Sequence, residues 1–391
     1  MAHATRRRGV GTDGDGAAQG ATWSPLRIAW PRLRLWAMGL FGIGLAPIVT
    51  APFFGFHDWT AFWTAGHLVG SVEIVSTERT IAWQTARGLA LAVFPYPPPA
   101  ALLLWPFAQL PFDVSFWVHA ATMLACAVAA AILGARVYRL PVSFAVLSAV
   151  AWAPVTSAVA IGQNAPFALL LAMVAISGIA RGRWLRAGSA VAALLYKPTL
   201  GLPLGGVLVL RGWWRAVAVT VAGIGIWYVA GIWAAGGSPG WPLDWARTVG
   251  DWLADDGVRN ADKAVSLPGL LSHAGLPDAL AYLAGGLLVL AAIPRLRRAP
   301  LPEAAAGALL IGLAASPHAW GYEATVALPF IWWMMGGGIA EPWRTRLVVA
   351  AYVVAPMWMF SRYTVFSLVA ALVLGAALLW LSGRWRGGAA S

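Results

Sequence analysis

Apolar residues in this chain fall into long runs separated by short basic clusters. Residues 35–54, 114–135, 140–180, 216–243, 304–322 and 363–383 contain no Asp, Glu, Lys or Arg. About twenty apolar residues cross a bilayer core as a helix. The pattern therefore predicts an all-α, polytopic transmembrane helical bundle, whereas a membrane β-barrel would show short alternating segments. The spans expected are 35–54, 114–135, 140–160, 163–180, 216–236, 279–294, 302–317, 324–340, 347–361 and 363–382. Segment 187–210 is interrupted by Lys197-Pro198 and reads as a broken hairpin that enters and returns. The total is about 10–12 membrane segments.

Composition agrees with the pattern. The chain is 60% hydrophobic and 11% charged, where a soluble domain carries about a quarter charged residues. The net charge of +12 raises the question of a nucleic-acid partner. Its distribution answers no, because the arginines cluster between apolar runs, at 136/139, 181/183/186, 211/215, 295/297/298, 344/346 and 384/386. That is the positive-inside pattern of a membrane protein whose surroundings are lipids. With those clusters set in the cytoplasm, Asp58, Glu73, Glu78, Asp113, Asp244, Asp251, Asp255, Asp256, Asp262, Asp278 and Glu323 all become external. Only Asp13, Asp15, Glu303 and Glu341 stay inside. The long loops, 55–112 and 237–277, are external too, so a multi-pass cell-membrane protein with its working site on the extracytoplasmic face is expected. The single Cys126 excludes an intrachain disulfide and a zinc site built on cysteines.

Residues 1–25 are rich in Gly, Ala and Arg and predict disorder. The expected organisation is a disordered cytoplasmic tail at 1–30, one transmembrane domain at 31–383 and a cytoplasmic tail at 384–391. The first external loop should carry amphipathic helices lying on the membrane, with Trp59, Phe62, Trp63 and Val69 on one face of 59–69.

Five stretches carry candidate chemistry. Asp58 sits where the first apolar run ends, among Phe56, Trp59, Phe62 and Trp63. It is a helix cap, an acid paired with an arginine, or a general base that takes a proton from a sugar hydroxyl, with His57 beside it. Tyr96-Pro97-Pro98-Pro99 forces an extended approach to a short apolar stretch that reads either as a re-entrant or interfacial helix or as a loop packed against lipid. In IGQNAPF, residues 161–167, Gln163 and Asn164 either bind sugar hydroxyls or satisfy a tight turn. Lys197 lies mid-way along an apolar segment, where an unpaired ammonium is costly. It either pairs with an acid, snorkels to the interface, or binds a phosphate at the broken helix. His318, Tyr322 and Glu323 occupy an external turn and either cap the next helix or face a substrate. His119, in an apolar span, reads as a core residue.

In this order the motifs resemble glycosyltransferase family 87, polyprenyl-phosphate-mannose-dependent membrane mannosyltransferases of the GT-C class. The matching residues are Asp58 with Ala65-Gly66, Tyr96-Pro97-Pro98, Gly162-Gln163 with Asn164, Lys197-Pro198, and Ser316-Pro317-His318. Asn164 stands one place earlier than in the family pattern. Tyr322 and Glu323 occupy a region where the family often carries another His or Asp. The resemblance implies a GT-C-like fold and transfer of a sugar, usually mannose, from a polyprenyl-phosphate donor to an extracytoplasmic glycolipid or glycan. It implies an inverting reaction without metal or other cofactor. Asp58 is then the base, Lys197 and His318 hold the donor phosphate, and His57, Tyr96, Gln163, Asn164, Tyr322 and Glu323 contact substrate. A lipid or glycolipid transporter without transferase activity, or a non-enzymatic assembly factor, is the alternative.

Overall fold

The computed structural model describes residues 57–260, 263–338, 343–354 and 362–383. The tails at 1–30 and 384–391 and the expected span 35–54 lie outside the described residues, as do Asp262 and Glu341. Among the described residues the fold is all-α, and the one bridge between extended segments pairs Ala264 with Trp320.

The order begins with α1 (His57–His67) and α2 (Thr77–Thr85). After Tyr96 the chain makes a 3-10 turn, Pro98–Leu103, and then α3 (Trp105–Ala108). The prolines deny this stretch a regular helix, so the expected re-entrant or interfacial helix is replaced by two short pieces. The bundle continues with α4 (Phe112–Tyr138), α5 (Val142–Val150), α6 (Ala153–Ile161) and α7 (Ala165–Ala180). Helices α8 (Trp184–Leu194) and α9 (Pro198–Leu210) form the expected broken hairpin, turning at Lys197. Then come α10 (Trp214–Ala234), α11 (Trp241–Arg259), α12 (Leu267–His273), α13 (Asp278–Arg298) and α14 (Leu301–Ala315). The chain closes with α15 (Leu328–Trp333), α16 (Trp343–Val354) and α17 (Arg362–Ser382).

Among the described residues, α4, α10 and α13 are long and apolar enough to cross a membrane, and α5 with α6, bent by 55°, forms either a broken span or a re-entrant loop. Helices α7, α9 and α14 are apolar but shorter. Two expectations change. The single span predicted at 324–340 is instead a 3-10 segment, Gly321–Ala327, then α15 and a π turn, Met334–Gly338. Pro329 and the glycines 336–338 break the regular ladder there. Helix α1 does not lie on a surface with one apolar face down. Trp59, Thr60, Phe62 and Thr64 are all buried, so the helix is enclosed on several sides.

The lipid-facing surface is legible on α13, where Leu280, Leu283, Leu287 and Leu290 are each more than half exposed at helical spacing. Inside, small residues let backbones approach. A methyl group added at Gly188 would meet the Ala216 backbone, and one added at Gly223 would meet Ala192. Such contacts replace the hydrophobic drive that lipid surroundings remove.

The arginine-bearing end of the bundle is tied separately. Arg211 donates to the Leu296 carbonyl at 3.2 Å and to that of Arg297. Arg295 Nη2 lies 2.6 Å from Glu303 Oε1, which also accepts from Trp380 Nε1 at 3.3 Å. Helices α13, α14 and α17 are thereby joined, leaving the opposite end of α14 to carry Ser316, His318 and Glu323.

Candidate active site

The opposite end gathers residues from five separate stretches. Asp58 lies in the first turn of α1 and is half-buried. Its Oδ2 accepts from Gln163 Nε2 at 3.0 Å. Gln163 is placed by the turn between α6 and α7, where Gly162 adopts φ +81°. A side chain is strained in that conformation, and a Cβ there would also lie 2.8 Å from Trp59 Cβ. Glycine thus lets α1 sit directly against the turn, which brings Asp58 and Gln163 together.

The Tyr96 loop is held by Gln84, which is fully buried and bonds the Ala92 backbone twice, at 2.8 and 2.9 Å, and Thr64 Oγ1 at 3.3 Å. Tyr96 then donates its hydroxyl to Gln163 Oε1 at 3.4 Å. Burial first, and the Glu323 carboxylate next, hold the Tyr96 phenol well above its usual range, so it remains a neutral donor.

Lys197 ends the break between α8 and α9 and is 3% exposed, a depth at which a cation needs partners. Its Nζ lies 3.5 Å from Glu323 Oε1 and 5.4 and 5.7 Å from the ring centres of Tyr96 and Tyr322. Both rings are within cation–π range. The second oxygen of Glu323 accepts the Trp320 N–H at 3.3 Å, so this carboxylate caps its own turn as well as pairing the lysine. Pairing and capping were among the readings left open for these two residues.

Of the expected site residues, Asp58, Tyr96, Gln163, Lys197, Tyr322 and Glu323 form one connected group. Asn164 joins it from behind, accepting from Tyr196 at both its backbone oxygen (3.2 Å) and its side-chain oxygen (3.4 Å). The His318 ring packs against Trp252 and Trp320, at centroid distances of 4.8 and 4.7 Å, and the rings beside Lys197 are those of Tyr96 and Tyr322. His57 opens α1, and its side chain lies outside the described residues.

Two residues, Tyr196 and Trp320, were missed from sequence. Tyr196 underlies Tyr96 at 5.9 Å and braces Asn164, and its place just before Lys197-Pro198 was the available signal. Trp320 packs edge-on against Tyr322 at 5.9 Å, beside the cluster that Tyr322 forms with Ala158 and Ala165. His119 is buried, as expected of a core residue, with its ring centre 4.3 Å from that of Trp59, beside the Gly162–Gln163 backbone. Chemically the arrangement offers a carboxylate for proton transfer and a buried ammonium for a leaving anion, with the Tyr96 and Tyr322 rings beside the ammonium.

The family model for glycosyltransferase family 87 matches residues 94–317. Tyr96, Gln163, Asn164 and Lys197 fall inside that stretch, and Asp58, His318, Tyr322 and Glu323 outside it. No curated protein and no solved structure matches the chain.

Proposed function

The chain belongs to glycosyltransferase family 87 and is a membrane glycosyltransferase, and from that premise we propose that it moves mannose from a polyprenyl-phosphate donor to an extracytoplasmic glycolipid or glycan. The observation that carries the reading is the convergence of Asp58 and Lys197. They come from α1 and from the α8–α9 break, and they meet through Gln163, Tyr96 and Tyr322.

In the proposed step the acceptor hydroxyl oxygen attacks the anomeric carbon while Asp58 takes its proton. The bond from that carbon to the phosphate oxygen breaks on the opposite side, and its electron pair leaves with the lipid phosphate. Lys197, released in part from Glu323, stabilises the phosphate charge. One displacement inverts the anomeric centre, so a β-linked donor gives an α-linked product. The donor's tail is apolar and can remain in the bilayer beside the bundle. The reading sets the site outside the cytoplasm because Arg211, Arg295 and Arg297 belong to the other end.

Purified full-length protein, given synthetic polyprenyl-phosphate-mannose and a membrane glycolipid extract, should release free polyprenyl phosphate and form a mannosylated product. Asp58→Asn should not. Release of polyprenyl phosphate at the same rate by Asp58→Asn would defeat the assignment of the base. Sidedness has its own test in a chain lacking Cys126. Asp255→Cys should react with an impermeant thiol reagent in intact cells, and Arg297→Cys should not. The opposite labelling would move the site to the cytoplasm.

A further inference from the structure

Helix α11 has a patterned underside. Trp241, Trp245, Thr248 and Trp252 recur at helical spacing and form one stripe. Three of them are anchors. Trp241 Nε1 donates to the Tyr228 carbonyl at 3.1 Å, Trp245 Nε1 to that of Pro95 at 3.2 Å, and Thr248 Oγ1 to that of Val75 at 2.6 Å. The helix is thus strapped across the first loop next to Tyr96. The fourth member, Trp252, spends its ring differently. It meets His318 at 4.8 Å with an interplanar angle of 65° and Trp320 at 6.5 Å with 54°.

His318 and Trp320 are themselves inclined by 55° at 4.7 Å. Three rings so tilted make a corner rather than a flat stack. All three are only half-buried, unlike Trp59 or Trp332, which are fully enclosed. The corner is continuous with the candidate active site, since Trp320 touches Tyr322 edge-on at 5.9 Å, and Tyr322 packs with Ala158 and Ala165, which flank Gln163 in sequence. Along the flank of the same stripe lie Asp244, which is half-buried and paired with Arg247 at 3.2 Å, and the exposed Asp251 and Asp255. Aromatic faces next to hydrogen-bond acceptors suit a polyhydroxylated ring, whose C–H face is apolar and whose edge is all hydroxyl.

We propose that Trp252, His318 and Trp320 form the subsite for the terminal sugar ring of the acceptor, carried into place by α11. The inference rests on the transferase reading and deepens it. It assigns His318 to the acceptor side and leaves the donor phosphate to Lys197. The acceptor sugar lies on the corner with its reacting hydroxyl directed past Tyr322 toward Asp58.

The test uses the full chain in phosphatidylcholine nanodiscs, with no sugar-based detergent, titrated with octyl α-mannoside, octyl β-glucoside and octyl β-galactoside. Wild type should bind at least one of them. Trp252→Ala should weaken that binding about tenfold, and Trp252→Phe, which keeps an aromatic face, should recover most of it. Polyprenyl-phosphate-mannose binding should stay within about twofold in both variants, and melting temperature should identify any variant that fails to fold. The inference is overturned if wild type binds none of the three, or if folded Trp252→Ala binds as well as wild type. Hexoside binding that depends on Trp252, without transfer from the mannosyl donor, would instead sink the donor assignment and keep the subsite. Transfer with unchanged acceptor KM in Trp252→Ala would keep the function and sink the subsite.

Discussion

One ion pair lies on α14, at Glu303, and another in the 3-10 segment that follows it, at Glu323, and the two are built differently. At the arginine end Glu303 Oε1 receives Arg295 at 2.6 Å and Trp380 at 3.3 Å, and the guanidinium lies over the Trp380 ring at 5.6 Å. At the other end Lys197 reaches Glu323 at 3.5 Å, the long limit of a hydrogen bond, with two tyrosine rings as its other neighbours. A short charge-assisted pair with a further donor closes its own electrostatics and joins three helices. A long pair over aromatic rings leaves the cation under-compensated, and an incoming anion can improve on what it has. The first arrangement holds the bundle together, whereas the second suits binding.

The comparison breaks most visibly at Glu303. Removing one partner of a buried pair costs about 3–5 kcal/mol. Glu303→Ala should therefore lower unfolding stability by that order, read as a fall in melting temperature, with donor affinity of the surviving folded protein unchanged. Asp58→Asn should do the reverse. Folding and donor binding should persist while turnover falls at least about a hundredfold, the lower bound for general-base assistance. Near-normal turnover would reduce Asp58 to a surface acid and make Glu323 the next candidate.

Lys197 sharpens the contrast directly. In Lys197→Ala donor affinity should fall about tenfold or more, and Lys197→Arg should retain part of it because charge survives with altered geometry. If Lys197→Ala loses stability as Glu303→Ala does but binds donor normally, the two pairs are alike and both structural. Gly162→Ala should cost about 1–2 kcal/mol from its left-handed backbone, and more where the methyl displaces Trp59. Because that shift separates Gln163 from Asp58, kcat should fall further than melting temperature suggests. The smallest effect should be Tyr196→Phe, about 1 kcal/mol for the lost bonds to Asn164, measured by thermal unfolding. An unchanged melting temperature there would mean that Asn164 is held by its turn alone.

The long uncharged runs of the sequence were enough to determine membrane residence and helical class, because backbone groups in lipid must be satisfied within a helix. Lys197-Pro198 marked the α8–α9 break in the same way, since proline cannot continue the ladder. Where proline and glycine were denser, as in Tyr96–Ala108 and Gly321–Gly338, hydropathy alone overstated regularity. Amphipathicity misread α1 for another reason. Its threonines are polar by type yet buried, and Gln84 bonds the Thr64 hydroxyl from another element.

The sequence also nominated Asp58, at the end of an apolar run, and Lys197, in the middle of one, because charges there are expensive, and the family resemblance added Tyr96, Gln163, Tyr322 and Glu323. It left open who partners whom. That Gln163 faces Asp58, that Glu323 divides itself between Lys197 and the Trp320 backbone, and that Trp252 meets His318 were decided by tertiary structure. A hydrogen bond between residues a hundred positions apart depends on how helices pack, and packing is set by the small residues and side-chain shapes of every neighbour at once. Hydropathy is a property of each segment separately, so it fixes which segments enter the membrane, and only their assembly fixes which side chains meet.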